Sequence, residues 1–483
     1  MLTRGFAGGV LVLLGGLVVS TLPSSALVLD NEQLVAARSH ATGRMVGLAT
    51  VMLGLAMLGA AWLSLCRLVA RAEGPDRDGA LDLVRWATAL WTVPLLLAPP
   101  LFSRDGWSYA AQGMMTHLGL SPYDNGPAVL EGPVVEAVDP RWMETPVPYG
   151  PVPLVFGDLG AGITGNPWIL VVGHRGVALI GLVLLGWAVP RLARWTGTHP
   201  AVASAVALAS PLMMANGVGG LHNDLLMAGI MAAALVVGVE HGWAWGGALG
   251  GLAAAVKLPG GLVCVLVALV TLPAGALVAD RLRRLTGVGL VSVGVLVGVG
   301  VGWGLGLGWV DALDVPGTVN TPLSAPTVVG GILDRALHLL GAGLDPATFL
   351  DLARSLASAA TLAVVGWVAL RWPTGDPAEA VRGTVLLVGA TLLLSPVVHL
   401  WYLLWVSPFL AALRLGRVGA SAVVAMSVVG GLVAPLDSSL HGAYLAIVMG
   451  SMLVAMLVSV LLLTRHGRER IRHIVDADWI PVP

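Results

Sequence analysis

Pro99-Pro100-Leu101-Phe102-Ser103-Arg104-Asp105-Gly106-Trp107-Ser108-Tyr109 is the stretch on which the reading of this chain turns. It closes an apolar segment and opens the longest polar loop, with Asp105 at the junction. A carboxylate just past a membrane helix reads as a working group at the membrane surface. The surroundings support that setting. The 483 residues are 57% hydrophobic and only 11% charged, and the mean hydropathy is +0.86. Soluble domains carry about 25% charged residues, so these charges are too few to cover a globule. They suffice to cap many helices in lipid, and the fold class is an all-α polytopic integral membrane protein.

A spanning helix needs about 20 mostly apolar residues. Segments of that kind lie near residues 5–29, 43–66, 84–101, 167–189, 200–218, 223–239, 243–257, 258–279, 287–310, 348–370, 382–398, 400–413, 418–434 and 442–464. They predict about 13–14 transmembrane helices, because 243–279 and 382–413 each read as one kinked helix or two short ones. Residues 5–22 also carry the pattern of a signal peptide, with Arg4 before them and Ser24-Ser25-Ala26 after. The apolar run exceeds the usual ~7–15 residues of such a peptide, so an ordinary first helix is expected.

Charge placement sets the orientation. With the N-terminus in the cytoplasm, all but eight of the 26 basic residues fall on the cytoplasmic side, as the positive-inside rule requires. The exceptions are Arg38, Arg44, Arg104, Arg141, Arg175, Lys257, Arg335 and Arg354. Asp105 then faces outward, in a plasma membrane with both termini cytoplasmic. Two long loops, 102–166 and 311–347, share its side. Residues 1–465 form a single transmembrane domain, and 466–483 a short basic tail suited to the anionic inner leaflet. The net charge of −1 indicates no nucleic-acid partner, and membrane lipids are the surroundings. Cys66 and Cys264 sit in apolar runs, unlike disulfide or metal cysteines. Gly294, Gly298 and Gly302 leave one helix face nearly bare, which predicts close helix packing.

Four polar constellations gather on the outer side. The first loop holds Asp105, Tyr109, Ser121-Pro122-Tyr123 and Pro148-Tyr149-Gly150-Pro151, with turns dense enough to predict a rigid connector. Its three tyrosines suit stacking on sugars or interfacial anchoring. His222-Asn223-Asp224 fills a short turn between spans, where capping would need one such residue, not three. Lys257 is the only lysine, and Pro259 follows it. A charge within a span costs about 2.5–3.5 kcal/mol on insertion scales. The lysine therefore snorkels or binds an anion such as a phosphate. His399-Leu400-Trp401-Tyr402 clusters at a Pro-interrupted turn. Weaker candidates are Arg335, Asp437 and His441. Arg175, inside a span, calls for an acidic partner.

One prominent carboxylate, a cation, histidines and aromatics restrict the chemistry. A glycosidase uses two carboxylates. A phosphate leaving group needs no proton, so one base suffices to transfer a sugar from a lipid phosphate. The base takes the acceptor proton during attack, and inversion follows. No cofactor is expected. Asp105 and Asp224 could share a divalent metal, although a donor without a pyrophosphate has little need of one. A transporter or flippase would show internal repeats and midplane polar groups, and a passive scaffold would have no use for these clusters.

The sequence resembles the polytopic GT-C glycosyltransferases. It is most similar to the actinobacterial polyprenol-phosphate-mannose-dependent α-(1→6)-mannosyltransferases of lipomannan and lipoarabinomannan synthesis. The blocks that carry the resemblance are Asp105 to Tyr109 with Gln112-Gly113, Pro122-Tyr123, Pro148-Tyr149-Gly150-Pro151, His222-Asn223-Asp224, Val256-Lys257-Leu258-Pro259, and Ser395-Pro396 with His399 and Trp401-Tyr402. Ser121 and Leu400 depart from the family pattern. The resemblance implies a polyprenyl-phosphate-mannose donor and a lipid-anchored mannan or phosphatidylinositol-mannoside acceptor. It leaves arabinofuranosyl transfer and phosphatidylinositol-mannoside mannosyl transfer as alternatives. It implies Asp105 as base and Lys257, His399 and Arg104 as contacts to the donor phosphate. Tyr109, Tyr123, Tyr149, His222, Asn223, Asp224, Trp401 and Tyr402 are then sugar and acceptor contacts.

Overall fold

A computed structural model describes residues 1–73, 75–101, 103–341, 345–434 and 464–475. Among them every regular element is helical. The helices are α1 (Leu2–Val19), α2 (Glu32–Ser39), α3 (Ala41–Ala70), α4 (Pro75–Leu96), α5 (Asp105–His117), α6 (Pro133–Glu136), α7 (Pro151–Ala161), α8 (Pro167–Thr196) and α9 (Pro200–Leu208). They continue as α10 (Asn223–His241), α11 (Trp243–Val256), α12 (Val263–Val270), α13 (Val278–Gly302), α14 (Ala325–Leu339), α15 (Thr348–Arg371), α16 (Pro377–Leu394), α17 (Ser407–Ala412), α18 (Arg417–Leu432) and α19 (Arg465–Val475). Several open with proline at the first or second position, where the missing N–H is no loss. Asn166 and Asp376 cap two of these helices by accepting backbone N–H groups.

Seven described helices are long and apolar enough to cross a membrane: α1, α3, α8, α10, α13, α15 and α16. Segment 200–218 is bent by 58° between α9 and a π-helical turn over Met213–Gly219, and counts as an eighth if taken as one span. Segments 243–279 and 382–413 resolve into broken pieces. Lys257 separates α11 from a 3-10 turn, Leu258–Leu262, that leads into α12. A loop and a second 3-10 turn, Leu400–Trp405, separate α16 from α17. The first span ends at Val19, ten residues before the sequence reading placed its end. The last expected span, 442–464, lies outside the described residues, as do Asp437 and His441.

Small residues set the helix spacing, though not where the glycine stripe suggested. Gly8 and Gly15 of α1 face Gly54 and Gly47 of α3, where an added Cβ would fall 2.6–2.7 Å from the opposing carbonyl oxygens. Backbones can approach this closely only without side chains. A Cβ added at Gly294, Gly298 or Gly302 would meet nothing within 4 Å outside its own helix backbone, and all three face outward. The packed face of α13 is Val288, Ser292, Leu296 and Gly300 instead. The expected packing seam is therefore corrected.

Arg175 is also corrected. It is fully buried in α8, and among the described residues no carboxylate meets it. Its guanidinium donates to the carbonyls of Leu96 at 2.7 Å, Val218 at 3.2 Å and Gly219 at 3.4 Å. Leu96 ends α4 and Gly219 ends the π-turn, so the arginine satisfies carbonyls that helix ends leave free. The Leu101 N–H also donates to Gly219 at 3.1 Å. Two connections, one leading to Asp105 and the other to His222, are thereby fastened at a single point.

Candidate active site

The first long loop is more ordered than its turn residues suggested. Asp105 is the first residue of α5, and α7 follows later in the same loop. Ser103 Oγ accepts the Asp105 N–H at 3.1 Å and steers the chain into the helix. The free N–H groups and dipole of a helix N-terminus favour a carboxylate there. Asp105, Ser108, Tyr109 and Gln112 fall at helical spacings of three, four and seven, on one face. All four line a cleft of about 690 Å³, including its open mouth. Trp142, Thr145, Pro146, Pro148 and Tyr149 line it from the same loop, and Lys257, His399, Trp401 and Tyr402 line it from the later segments.

Lys257 is held in a cage. Its Nζ lies 2.9 Å from Asp224 Oδ1, and Trp405 Nε1 donates to the same oxygen at 2.5 Å. The ammonium stands 4.0 Å from the Tyr402 ring centroid, 5.1 Å from that of Trp405 and 5.5 Å from that of Tyr149. Aromatic faces at these distances attract a cation. Asp224 is fully buried, and its Oδ2 has no partner among the described residues. Gly150 docks this wall: its N–H donates to Val256 O at 3.1 Å, and a Cβ there would lie 2.2 Å from Ala255 O. Any side chain at 150 would push Tyr149 off the lysine. The Tyr109 hydroxyl donates to that of Tyr149 at 3.3 Å.

A stacked column stands beside Asp105. Trp401 lies between His222, with centroids 3.9 Å apart, and His399, at 4.3 Å. His222 Nδ1 is 3.5 Å from Asp105 Oδ2. That approach lacks hydrogen-bond alignment, so Nδ1 has no partner of that kind. The residue before it, Leu221, adopts a left-handed backbone with φ 57°, which is uncommon outside glycine. Burial alone would raise the Asp105 carboxyl. The contact and charge of His222, then the charges of His399 and Lys257, outweigh it and hold the carboxyl below its ordinary range. Burial pushes His399 down to about 4, so its imidazole is neutral near pH 7.

The second long loop supplies a roof that the sequence reading missed. Val315 and Val319 line the cleft. Arg354 of α15 holds this segment, donating to Gly317 O at 2.7 Å, Val319 O at 2.8 Å and Asn320 Oδ1 at 2.7 Å. Thr321 Oγ1 accepts the Val398 N–H at 2.9 Å, which ties the roof to the turn bearing His399.

Of the residues expected at the site, Asp105, Tyr109, Tyr149, Lys257, His399, Trp401 and Tyr402 border the cleft together. His222 and Asp224 stand one layer behind, touching Asp105 and Lys257. Asn223 is buried at the start of α10, and its Nδ2 lacks a partner among the described residues. Arg104 and Tyr123 are not among the lining residues. Tyr123 packs with Val147 and Leu154. Arg335 is exposed on α14. Trp142 and Thr145 are lining residues that the sequence reading did not single out, and Ser108 and Gln112, which stood in the blocks that carry the resemblance, line the cleft without having been given a site role. Among the described residues no group of three or more histidine, cysteine or carboxylate side chains is arranged to hold a metal ion.

Residues 2–273 match the family described as alpha-(1->6)-mannopyranosyltransferase, N-terminal domain, and residues 326–465 match the MptB C-terminal domain. A probable alpha-(1->6)-mannopyranosyltransferase of Mycolicibacterium smegmatis is 31% identical over 91% of this chain and 82% of its own length. Alpha-(1->6)-mannopyranosyltransferase A of Mycobacterium tuberculosis is 31% identical over 91% of this chain and 85% of its own. Alpha-(1->6)-mannopyranosyltransferase B of Corynebacterium glutamicum is 29% identical, over 83% and 71%. No solved structure matches the chain.

Proposed function

Because the chain belongs to the alpha-(1->6)-mannopyranosyltransferase family, we propose that it moves mannose from polyprenyl-phosphate-mannose to a lipid-anchored mannan or phosphatidylinositol-mannoside acceptor. The new bond is an α-(1→6) linkage made with inversion, within a GT-C type fold. The observation that carries this reading is a buried carboxylate, Asp105, and a buried ammonium, Lys257, bordering one cleft. The acceptor hydroxyl attacks the anomeric carbon while Asp105 takes its proton, and the bond from that carbon to the phosphate oxygen breaks. The phosphate departs as an anion toward Lys257. An ammonium has three donors, so the bond to Asp224 leaves others for phosphate. Neutral His399 can donate one more hydrogen bond. His222 orients Asp105, Asp224 orients Lys257, and Tyr109, Tyr149, Trp401 and Tyr402 present rings to the sugars.

The cleft opens on the side of the two long loops. The arginine distribution supports that side being outside the plasma membrane, with both termini in the cytoplasm. The test is transfer by purified protein from a mannosyl phospholipid to a synthetic α-(1→6)-mannoside. Wild type forms the new linkage, and Asp105→Asn loses at least about 100-fold, within the range of general-base catalysis. A variant that keeps more than one tenth of wild-type activity sinks the base assignment. Equal transfer from an arabinofuranosyl phospholipid would overturn the donor.

A further inference from the structure

We infer that Ser108 and Gln112 form an acceptor subsite, binding hydroxyls of the mannose units behind the one that Asp105 deprotonates. The inference rests on the mannosyl-transfer reading and extends it along α5. Ser108 is 4% exposed and Gln112 6%, yet both line the cleft. Ser108 Oγ is buried with no hydrogen-bond partner among the described residues. A serine in a helix interior usually returns its hydroxyl to the carbonyl four residues back or points to solvent. Thr116 follows that habit on the same helix, bonding Gln112 O at 2.9 Å, whereas Ser108 does not. A buried hydroxyl left unpaired is costly unless something outside the chain completes it. Gln112 carries an amide able to donate and accept, and no described residue engages that group.

Spacing gives the direction. At ~1.5 Å per residue, Ser108 lies about 4.5 Å and Gln112 about 10.5 Å along the helix from Asp105. The first step is comparable to a pyranose ring, and the second reaches the next unit. Trp142, Thr145 and Lys257 line the same cleft as this face of the helix. An acceptor whose attacking hydroxyl meets Asp105 can lay its remaining units along this helix face, over Ser108 and Gln112. Paired donor and acceptor groups discriminate hydroxylated ligands from analogues that lack the hydroxyl.

The test compares wild type with Ser108→Ala and Gln112→Leu, neither of which adds bulk. Binding of short α-(1→6)-manno-oligosaccharides without donor is measured by calorimetry, and KM for acceptor and donor is measured in the transfer assay. Each variant is expected to weaken oligosaccharide binding and raise the acceptor KM about 3- to 10-fold, the range of one neutral hydrogen bond. The donor KM stays within twofold. Unchanged binding and acceptor KM in both variants overturn the subsite, as does a rise confined to the donor KM. If wild type transfers no mannose yet the variants lose oligosaccharide binding, the transfer reading falls and the subsite stands.

Discussion

Lys257→Met separates the two duties of the lysine. Asp224 is fully buried, and Lys257 is its one charged partner among the described residues. Removing the ammonium leaves a carboxylate in the interior with a single N–H from Trp405. Breaking a buried pair from one side costs about 3–5 kcal/mol, because the remaining charge is uncompensated. For 150–250 residues each kcal/mol moves Tm by roughly 2–4 °C, and less in a longer chain. The expected fall is thus several degrees, read by tryptophan fluorescence in detergent. Lys257→Met/Asp224→Asn removes both charges and recovers most of that loss. Activity does not recover with it. A charge-assisted hydrogen bond to phosphate is worth about 1.5–3 kcal/mol, so kcat/KM with the mannosyl phospholipid stays roughly 10- to 150-fold down. If the double variant regains activity along with stability, the lysine serves only Asp224 and its phosphate role is refuted. A single variant with wild-type Tm would refute the buried-pair argument itself.

Three other outcomes follow from the same geometry. Asp105 is held below its ordinary value of 3.8, so its carboxylate contributes above that value and the contribution is lost only as pH falls through the lower folded one. The kcat/KM profile should therefore show no acid limb from this group between about pH 5 and 8, and a limb near 6 that vanishes in Asp105→Asn would contradict it. Trp401→Ala removes two stacked contacts worth about 0.5–1.5 kcal/mol each. It frees both imidazoles and should lower kcat/KM about 10-fold or more, with Trp401→Phe recovering part; equal rates in the Ala and Phe variants would deny the column a role. Arg175→Met takes the side-chain donor from the Leu96 and Val218 carbonyls at about 1–3 kcal/mol each, while Gly219 keeps the Leu101 N–H, so the yield of folded protein falls, whereas normal yield and Tm would show that the carbonyls find other donors.

Asp105, Lys257 and the His399–Tyr402 cluster were legible because each is a polar group out of place in an apolar chain. Their convergence was suggested by a shared membrane side and completed by Pro259 and the Pro396 turn, where the helices break. Ser108 and Gln112 stood in quoted blocks but received no role, because the loop was expected to be a turn-rich connector rather than a helix. Placing the helix start at Asp105 would have revealed their shared face. Tyr123 shows the converse. A loop tyrosine has an apolar body, and here it packs under the loop with Val147 and Leu154. The outward Gly294–Gly302 stripe shows that small residues permit close packing without requiring it. Arg175 misled because a buried cation suggests a carboxylate, whereas helix-end carbonyls are acceptors that no sequence pattern marks.

The column through Trp401 joins parts of the chain that lie far apart in sequence. His222 belongs to the N-terminal family region and Trp401 and His399 to the C-terminal one, with Asp105 and Lys257 in the first. Neither region encloses the cleft by itself. Exchanging one region between relatives would bring together the proposed base and an aromatic column taken from different chains. The cleft is thus a joint product of the two regions, and re-shaping it for another ligand calls for substitutions in both.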